Sequence, residues 1–321
     1  MFKRLKAWWH FRRAVIEASH LESQDGAAEC DWVMVPCWRR PEFLWHCLDN
    51  LTRAEGIEDM AILFRLDTGY SPENIEVIRS YSNRLPHFEI DYSLPCPYRR
   101  TKQSANVLLG YLQAAKRARR FVHLVEEDIM VARDYFRWHR AVHDAAGSLF
   151  CSIAVRNPNR AVTGSSEVGD YYLSNADYSS HGVCFDKSVL KELIAPHVNM
   201  RYLRRPKHYL RRQFPSSVVG LGFVEQDGLI RRIQEREGLP IAYPCVPRAF
   251  DAGFYGYNRP GGVTGSLQER IRRLSEIIYD PERMRHAALR PEYLASSLPI
   301  NLQTPAWERQ RRIDVLAAPL P

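Results

Sequence analysis

A chain of 321 residues, 45% of them hydrophobic, can bury a sizeable core in one large domain or two small ones, which excludes a largely disordered polypeptide. The formal net charge of +8 suits a polyanionic partner (nucleotide diphosphate, nucleic acid or anionic lipid) without choosing among them. No run reaches the roughly 18 apolar residues of a membrane-spanning helix. Segment 1–20 lacks the apolar core of a secretory signal. The seven cysteines stand singly without a CxxC pair, which speaks against a zinc ribbon and for reduced thiols in the cytoplasm.

Segment 1–20 reads as a basic amphipathic helix. Phe2, Leu5, Trp8, Trp9, Phe11, Val15 and Ile16 supply an apolar stripe, and Lys3, Arg4, Lys6, Arg12 and Arg13 the charge. Such a helix can lie on an anionic membrane or pack on its own domain. A buried strand is expected at 32–36 and a helix at 41–54, opened by Pro41. A second strand at 61–66 runs into the polar turn Asp67-Thr68-Gly69, and a helix follows from Ser71. A strand at 88–92, a helix at 102–118 and a strand at 121–125 come next. Strands are further expected at 148–156, 182–185 and 241–243, and helices at 187–194, 223–236 and 267–288. The run 201–212 is strongly basic, 251–265 reads as a Gly- and Tyr-rich loop, and the tail after Pro291 is Pro-rich. Strands alternating with helices imply right-handed βαβ units and a mostly parallel sheet.

Ligands of such sheets bind beyond the carboxyl ends of the strands. Two acidic sites fall there: Asp67, and the triplet Glu126-Glu127-Asp128 directly after the strand at 121–125. Three adjacent carboxylates repel one another unless a counter-charge is supplied. Hard oxygen ligands suit Mn2+ or Mg2+, which could bridge a diphosphate. The same triplet could instead be a solvated acidic turn at a helix N-terminus.

Val35-Pro36 with Arg40-Pro41-Glu42, then Leu66-Asp67-Thr68-Gly69, then Leu124-Val125-Glu126-Glu127-Asp128-Ile129 resemble the nucleotide-sugar half of GT-A glycosyltransferases. The run from Glu126 to Phe136 is similar to the metal-binding segment of the N-acetylglucosaminyltransferase I family, and the resemblance covers roughly residues 30–260. It implies a GT-A-like (Rossmann-like) α/β fold, a mixed, mostly parallel sheet with helices on both faces. The expected organisation is an N-terminal basic helix (1–29), a glycosyltransferase domain (30–265) and a C-terminal helical segment with a Pro-rich tail (266–321). By the same resemblance Asp128 ligates the metal, Glu126 lies near the ribose with Glu127 beside it, and Asp67 contacts uracil or ribose. Arg40 stands near the base or diphosphate, and Lys102 and Asn106 sit where a positioning segment covers the donor.

Inverting sugar transfer needs a carboxylate to take the acceptor proton. Glu225-Gln226-Asp227 resembles the acid pair of inverting family-2-like glycosyltransferases, split here by Gln226. The base is therefore Glu225 or Asp227, with Asp227 favoured by its spacing to Leu229 and Ile230. Read without the resemblance, both are helix N-terminal acids. The run Arg248 to Gly256 resembles a loop that closes over the donor, with Tyr255 where a histidine is common. Absence of a Gln-x-x-Arg-Trp motif implies transfer of one sugar at a time. The expected partners are a UDP-sugar, UDP-N-acetylglucosamine first, and a glycan, lipid or protein acceptor, with peripheral anionic membrane contact open.

A sugar-phosphate nucleotidyltransferase would carry a Gly-rich loop after the first strand, where Cys37-Trp38-Arg39-Arg40 stands instead. Basic runs permit nucleic-acid binding, but no helix-turn-helix, RNP or zinc signature accompanies them, and no specific nucleic acid is expected.

Overall fold

Val33, Met34 and Val35 expose no surface because β1 (Asp31–Cys37) lies in the middle of a sheet, covered on both faces. The computed structural model describes residues 2–20, 29–155, 171–175, 178–245, 247–255 and 265–278. The Pro-rich tail, the end of the expected 267–288 helix and most of the expected 251–265 loop lie outside them.

After β1 come α2 (Pro41–Leu51), β2 (Met60–Leu66), α3 (Glu73–Ser80), β3 (Phe88–Tyr92), α4 (Lys102–Arg117) and β4 (Phe121–Leu124). β1 pairs in parallel with β2 on one side and β4 on the other, and β2 with β3. The remaining sheet strands are β6 (Cys151–Ile153), β7 (Tyr171–Ser174), β8 (Val183–Asp186) and β9 (Ile241–Pro244). The strand order is β3-β2-β1-β4-β8-β6-β9-β7, with β8 and β7 antiparallel to their neighbours. A separate antiparallel pair joins β5 (Ile129–Val131) to β10 (Ala249–Asp251).

The chain winds from β1 to β3 in one direction, then crosses back by way of α4 to β4 on the far side of β1. β1 and β4 therefore flank a topological switch point, the place where sheets of this kind form a crevice beyond the strands' carboxyl ends. Helices cover both faces. α2 packs with α3 and α9 (Leu267–Ile278), whereas α4 packs with α1 (Phe2–Ser19) and α8 (Gln226–Glu237). α4 approaches β1 closely at Gly110, where a Cβ would meet Arg65 Cδ at 2.8 Å and Met34 Sδ at 3.2 Å.

α1 packs on its own domain through Phe11 and Val15, each 1% exposed, and Trp8 Nε1 donates to the Tyr98 hydroxyl at 3.2 Å. The basic run at 201–212 is two helices, α6 (Met200–Arg204) and α7 (Pro206–Gln213). The break at Arg205 has a local cause, since the residue before a proline is disfavoured in helical geometry. The expected 223–236 helix begins only at Gln226. The buried Arg232 guanidinium donates to the carbonyls of Val219, Gly220, Phe223 and Gly228, at 2.6–2.9 Å, and holds the preceding segment as a loop. The expected 148–156 strand shortens to β6. α5 (Tyr135–Ala146) packs on β6 and buries Tyr135, Phe136 and Trp138.

Candidate active site

The crevice is built by two chain segments leaving parallel strands side by side. Val125 N donates to Met34 O at 3.1 Å, so the backbone follows β1 past the end of β4 and delivers Glu126 to the crevice. A tight turn, closed by Ile129 N to Glu126 O at 2.9 Å, places Glu127 and Asp128 at its tip. Beside it, β1 ends and α2 begins at Pro41, which leaves Trp38 N and the Arg40 side chain facing that tip. Glu127, 2% exposed, accepts from Trp38 N at 2.9 Å and from Arg40 Nε at 2.8 Å. Arg40 Nη1 reaches Asp128 Oδ2 at 2.5 Å. One guanidinium thus holds two carboxylates across the switch point.

β10 closes the other wall. Ala252 N donates to Asp128 O at 2.8 Å, and Gly253 N donates to Asp251 Oδ1 at 2.9 Å. A Cβ at Gly253 would lie 2.0 Å from Asp128 Oδ2 and 3.0 Å from Asp251 Oδ1, so glycine is the residue that lets both carboxylates approach. His181, just before β8, puts Nδ1 3.7 Å from Asp251 Oδ2 and Nε2 4.0 Å from Glu126 Oε2. From α8, Asp227 sets one carboxylate oxygen 3.5 Å from Ser180 Oγ, and its other oxygen is buried with no hydrogen-bond partner among the described residues.

Burial raises the Glu126 carboxyl well above the ordinary range, and Asp128, Asp227 and Asp251 add to it by repulsion. Glu127 rises to about 7 because burial outweighs the help of Arg40. Asp251 and Asp227 are raised by burial too, and His181 opposes both shifts. Burial works against the Arg40 charge, but Asp128 and Glu127 more than offset it and the guanidinium is held protonated. Among the described residues the crevice is therefore short of positive charge.

The rim lies at the carboxyl end of β2. Asp67 Oδ1 accepts from Thr68 N at 2.6 Å and from Ser93 Oγ at 3.1 Å, which fixes the carboxylate in a half-exposed position. Lys102, at the start of α4, donates to Thr68 O at 2.9 Å and so stands at the same rim. Arg40, Asp67, Lys102, Glu126, Glu127, Asp128 and Asp227 are accordingly gathered along one edge of the sheet.

Three expected site residues belong elsewhere. Asn106 is 4% exposed and its Oδ1 accepts from the buried Arg65 Nε at 2.8 Å, so it serves the packing of α4 on β2. Arg248 and Asp134 form an ion pair at 3.2 Å with 2% and 0% exposure, leaving Arg248 no surface for a donor. Glu225 is exposed at the start of α8 and accepts from Val224 N at 3.1 Å, whereas the Asp227 carboxylate is withdrawn from solvent and takes no such local bond among the described residues. Conversely, Asp251 and His181 were not foreseen. Asp251 stood in a segment read as a loop, and an isolated histidine carries no spacing signal.

Among the described residues no three carboxylate, imidazole or thiol groups form a ready cage for a metal ion. Mg2+ and Mn2+ need none, since such ions are often held by one or two carboxylates and completed by phosphate oxygens and water. Asp128 with Asp251 beside it offers oxygen ligands of that kind, in a crevice whose raised carboxyls call for a cation.

No family model matches the sequence, and no curated protein matches it. Among solved structures the chain is similar to S. aureus TarS 1-349 at 10% identity, spanning 90% of this chain and 81% of that one, with a TM-score of 0.44. It is also similar to the mannosyltransferase PcManGT from Pyrobaculum calidifontis (14% identity, 98% and 84% spanned, TM-score 0.40) and to the galactosyltransferase LgtC (10%, 79% and 99%, 0.39). At these identities and scores the chemistry of this chain rests on its own residues.

Proposed function

We propose that the chain is an inverting glycosyltransferase that moves one sugar from a nucleoside diphosphate donor, UDP-N-acetylglucosamine being the first to test, to a hydroxyl on a glycan, lipid or protein acceptor. The observation that carries this reading is the convergence of Glu126, Asp128, Asp251 and Asp227 at the switch-point crevice between β1 and β4, with Arg40 spanning it. The base and ribose lie at the Asp67–Lys102 rim, and the diphosphate lies toward Asp128. Mn2+ or Mg2+ held by Asp128, with Asp251 nearby, would supply positive charge to the departing diphosphate. Arg40 keeps Glu127 and Asp128 oriented and adds a fixed charge of its own. Asp227 takes the acceptor proton. Burial raises its carboxyl toward the working pH, which makes it a stronger base than a surface aspartate.

Calorimetric titration of UDP with and without Mn2+, on wild type and Asp128→Ala, tests the reading. Metal-dependent binding lost in the variant is the expected result. Absence of UDP binding under both conditions would reject a UDP-sugar donor.

A further inference from the structure

α1 carries two apolar faces where packing on the domain needs one. Trp8, Phe11 and Val15 turn inward. Leu5, Trp9 and Ile16 recur at spacings of four and seven, which puts them on a second helix face, and they are 52%, 53% and 41% exposed. Arg12 stands on the same stripe, with its guanidinium carbon 5.2 Å from the centre of the Trp9 ring and 5.6 Å from that of Trp8.

Beside this stripe opens a groove of about 570 Å3, whose walls are Trp8, Arg12 and Tyr98 on one side and Arg201, Arg204, Arg205, His208 and Arg212 on the other. Arg204, Arg205 and Tyr98 also line an adjoining groove of about 450 Å3 together with Arg99, Arg100 and Lys207. Arg201, Arg204, Arg205 and Arg212 are exposed, and none is ion-paired with an acidic side chain among the described residues. Elsewhere on the fold Arg40, Arg117, Arg120 and Arg270 have carboxylate partners, whereas Arg39 and Lys187 donate only to backbone carbonyls among the described residues, so it is the concentration of such arginines that marks the shelf.

We propose that α1 and the α6–α7 shelf form one docking surface for an anionic membrane, with Leu5, Trp9 and Ile16 entering the interface and the arginine-lined grooves receiving lipid phosphates. A single exposed hydrophobic residue would need no explanation. An aliphatic–aromatic stripe contiguous with a concentration of arginines that lack acidic partners among the described residues has the composition of an interfacial helix. Charge complementarity selects an anionic surface, and the leucine and isoleucine select a lipid over a nucleic acid, whose phosphates offer them no apolar phase. The shelf is rigidly tied to the domain, since Asn199 caps α6 by accepting from Arg201 N and Tyr202 N, and Tyr202 OH donates to Val224 O at 2.9 Å. Docking does not depend on which reaction the acidic crevice performs.

The test is co-sedimentation of the full chain with vesicles of phosphatidylcholine alone and with vesicles in which phosphatidylglycerol replaces part of it. Binding to the second kind only is expected. Neutralising Arg201, Arg204 and Arg205 together to Gln should lower partitioning about 100-fold, at roughly fivefold per arginine. Trp9→Ser with Leu5→Ser should weaken it at unchanged charge. All five positions are exposed, and thermal unfolding would verify that each variant folds as wild type does. Partitioning unchanged by the Trp9 and Leu5 substitutions but abolished by inorganic phosphate would overturn the proposal and assign the grooves to a soluble phosphate ligand. A salt-sensitive shift of duplex DNA without vesicle binding would overturn it in favour of nucleic acid.

Discussion

His123 and Glu126 leave the same strand three residues apart, and both are withdrawn from solvent. His123 points under α5 into a pocket with His139, His143, Ser152 and Cys184. There the Ser152 hydroxyl lies 2.6 Å from His139 Nδ1 and 3.0 Å from His143 Nε2. Burial pushes His123 down to about 3 and His143 to about 4, and drives His139 well below the ordinary value, so all three imidazoles are neutral. Neutral rings pack against Tyr135, Phe136 and Phe121, and His123 Nδ1 is buried without a hydrogen-bond partner among the described residues. Glu126 turns the other way, into a crevice where further carboxylates crowd it. Both regions bury ionisable groups. The histidine pocket solves the problem by keeping its rings neutral, whereas the acidic crevice keeps several raised carboxyls together with Arg40 as their main counter-charge among the described residues. That contrast, more than burial or an altered pKa alone, separates a scaffold from a candidate site.

The largest effect that would sharpen the contrast is on catalysis. Asp227→Asn keeps shape and removes the proposed base, and kcat should fall about 100- to 10,000-fold. UDP affinity should stay near that of wild type, because the proposed reaction gives Asp227 to the acceptor side. Release of UDP from the donor, followed against acceptor concentration, gives both quantities. If the variant keeps wild-type turnover, Asp227 belongs with the structural groups.

Much of this plan was legible in the chain. The runs that became β1, β2 and β4 are mostly apolar, broken within by Arg65 and His123, because central strands are covered on both faces, and an acid just after such a run marks a strand's carboxyl end. What stayed hidden depends on partners distant in sequence. Asn106 and Arg248 pass for site residues until Arg65 and Asp134 are seen beside them. The late start of α8 comes from a side chain six residues inside the helix, Arg232, binding carbonyls ahead of it. Asp251 and His181 join the crevice through strand pairing and a crossover loop, which no local pattern encodes.

Arg248 offers a way to break the contrast, since the residue was read as a donor contact and the structure buries it in an ion pair with Asp134. Arg248→Met leaves Asp134 buried without its partner, and stability should drop by about 3 kcal/mol. Denaturant unfolding measures the loss, and UDP titration of the folded variant should match wild type. A stable variant that binds UDP poorly would return Arg248 to the donor.

The smallest expected effect is on the pH dependence of stability, and it has opposite signs in the two regions. For His143 the folded value, about 4, lies below the ordinary 6.5, so its contribution is present above pH 6.5 and lost as pH falls toward 4. For Glu127 the folded value, about 7, lies above the ordinary 4.5, so its contribution is present below pH 4.5 and lost as pH rises through 7. Other buried groups titrate over the same range, so the informative quantity is each variant's stability relative to wild type, measured by denaturant unfolding in a chelator between pH 5 and 7. His143→Gln should gain on wild type as pH falls, by up to about 1.4 kcal/mol per pH unit. Glu127→Gln should gain as pH rises. Added Mn2+ should flatten the second trend by giving the crevice its missing charge, and should leave the first unchanged. If both variants followed one slope, the two regions would be electrostatically alike, and the case for a cation in the crevice would lose its ground.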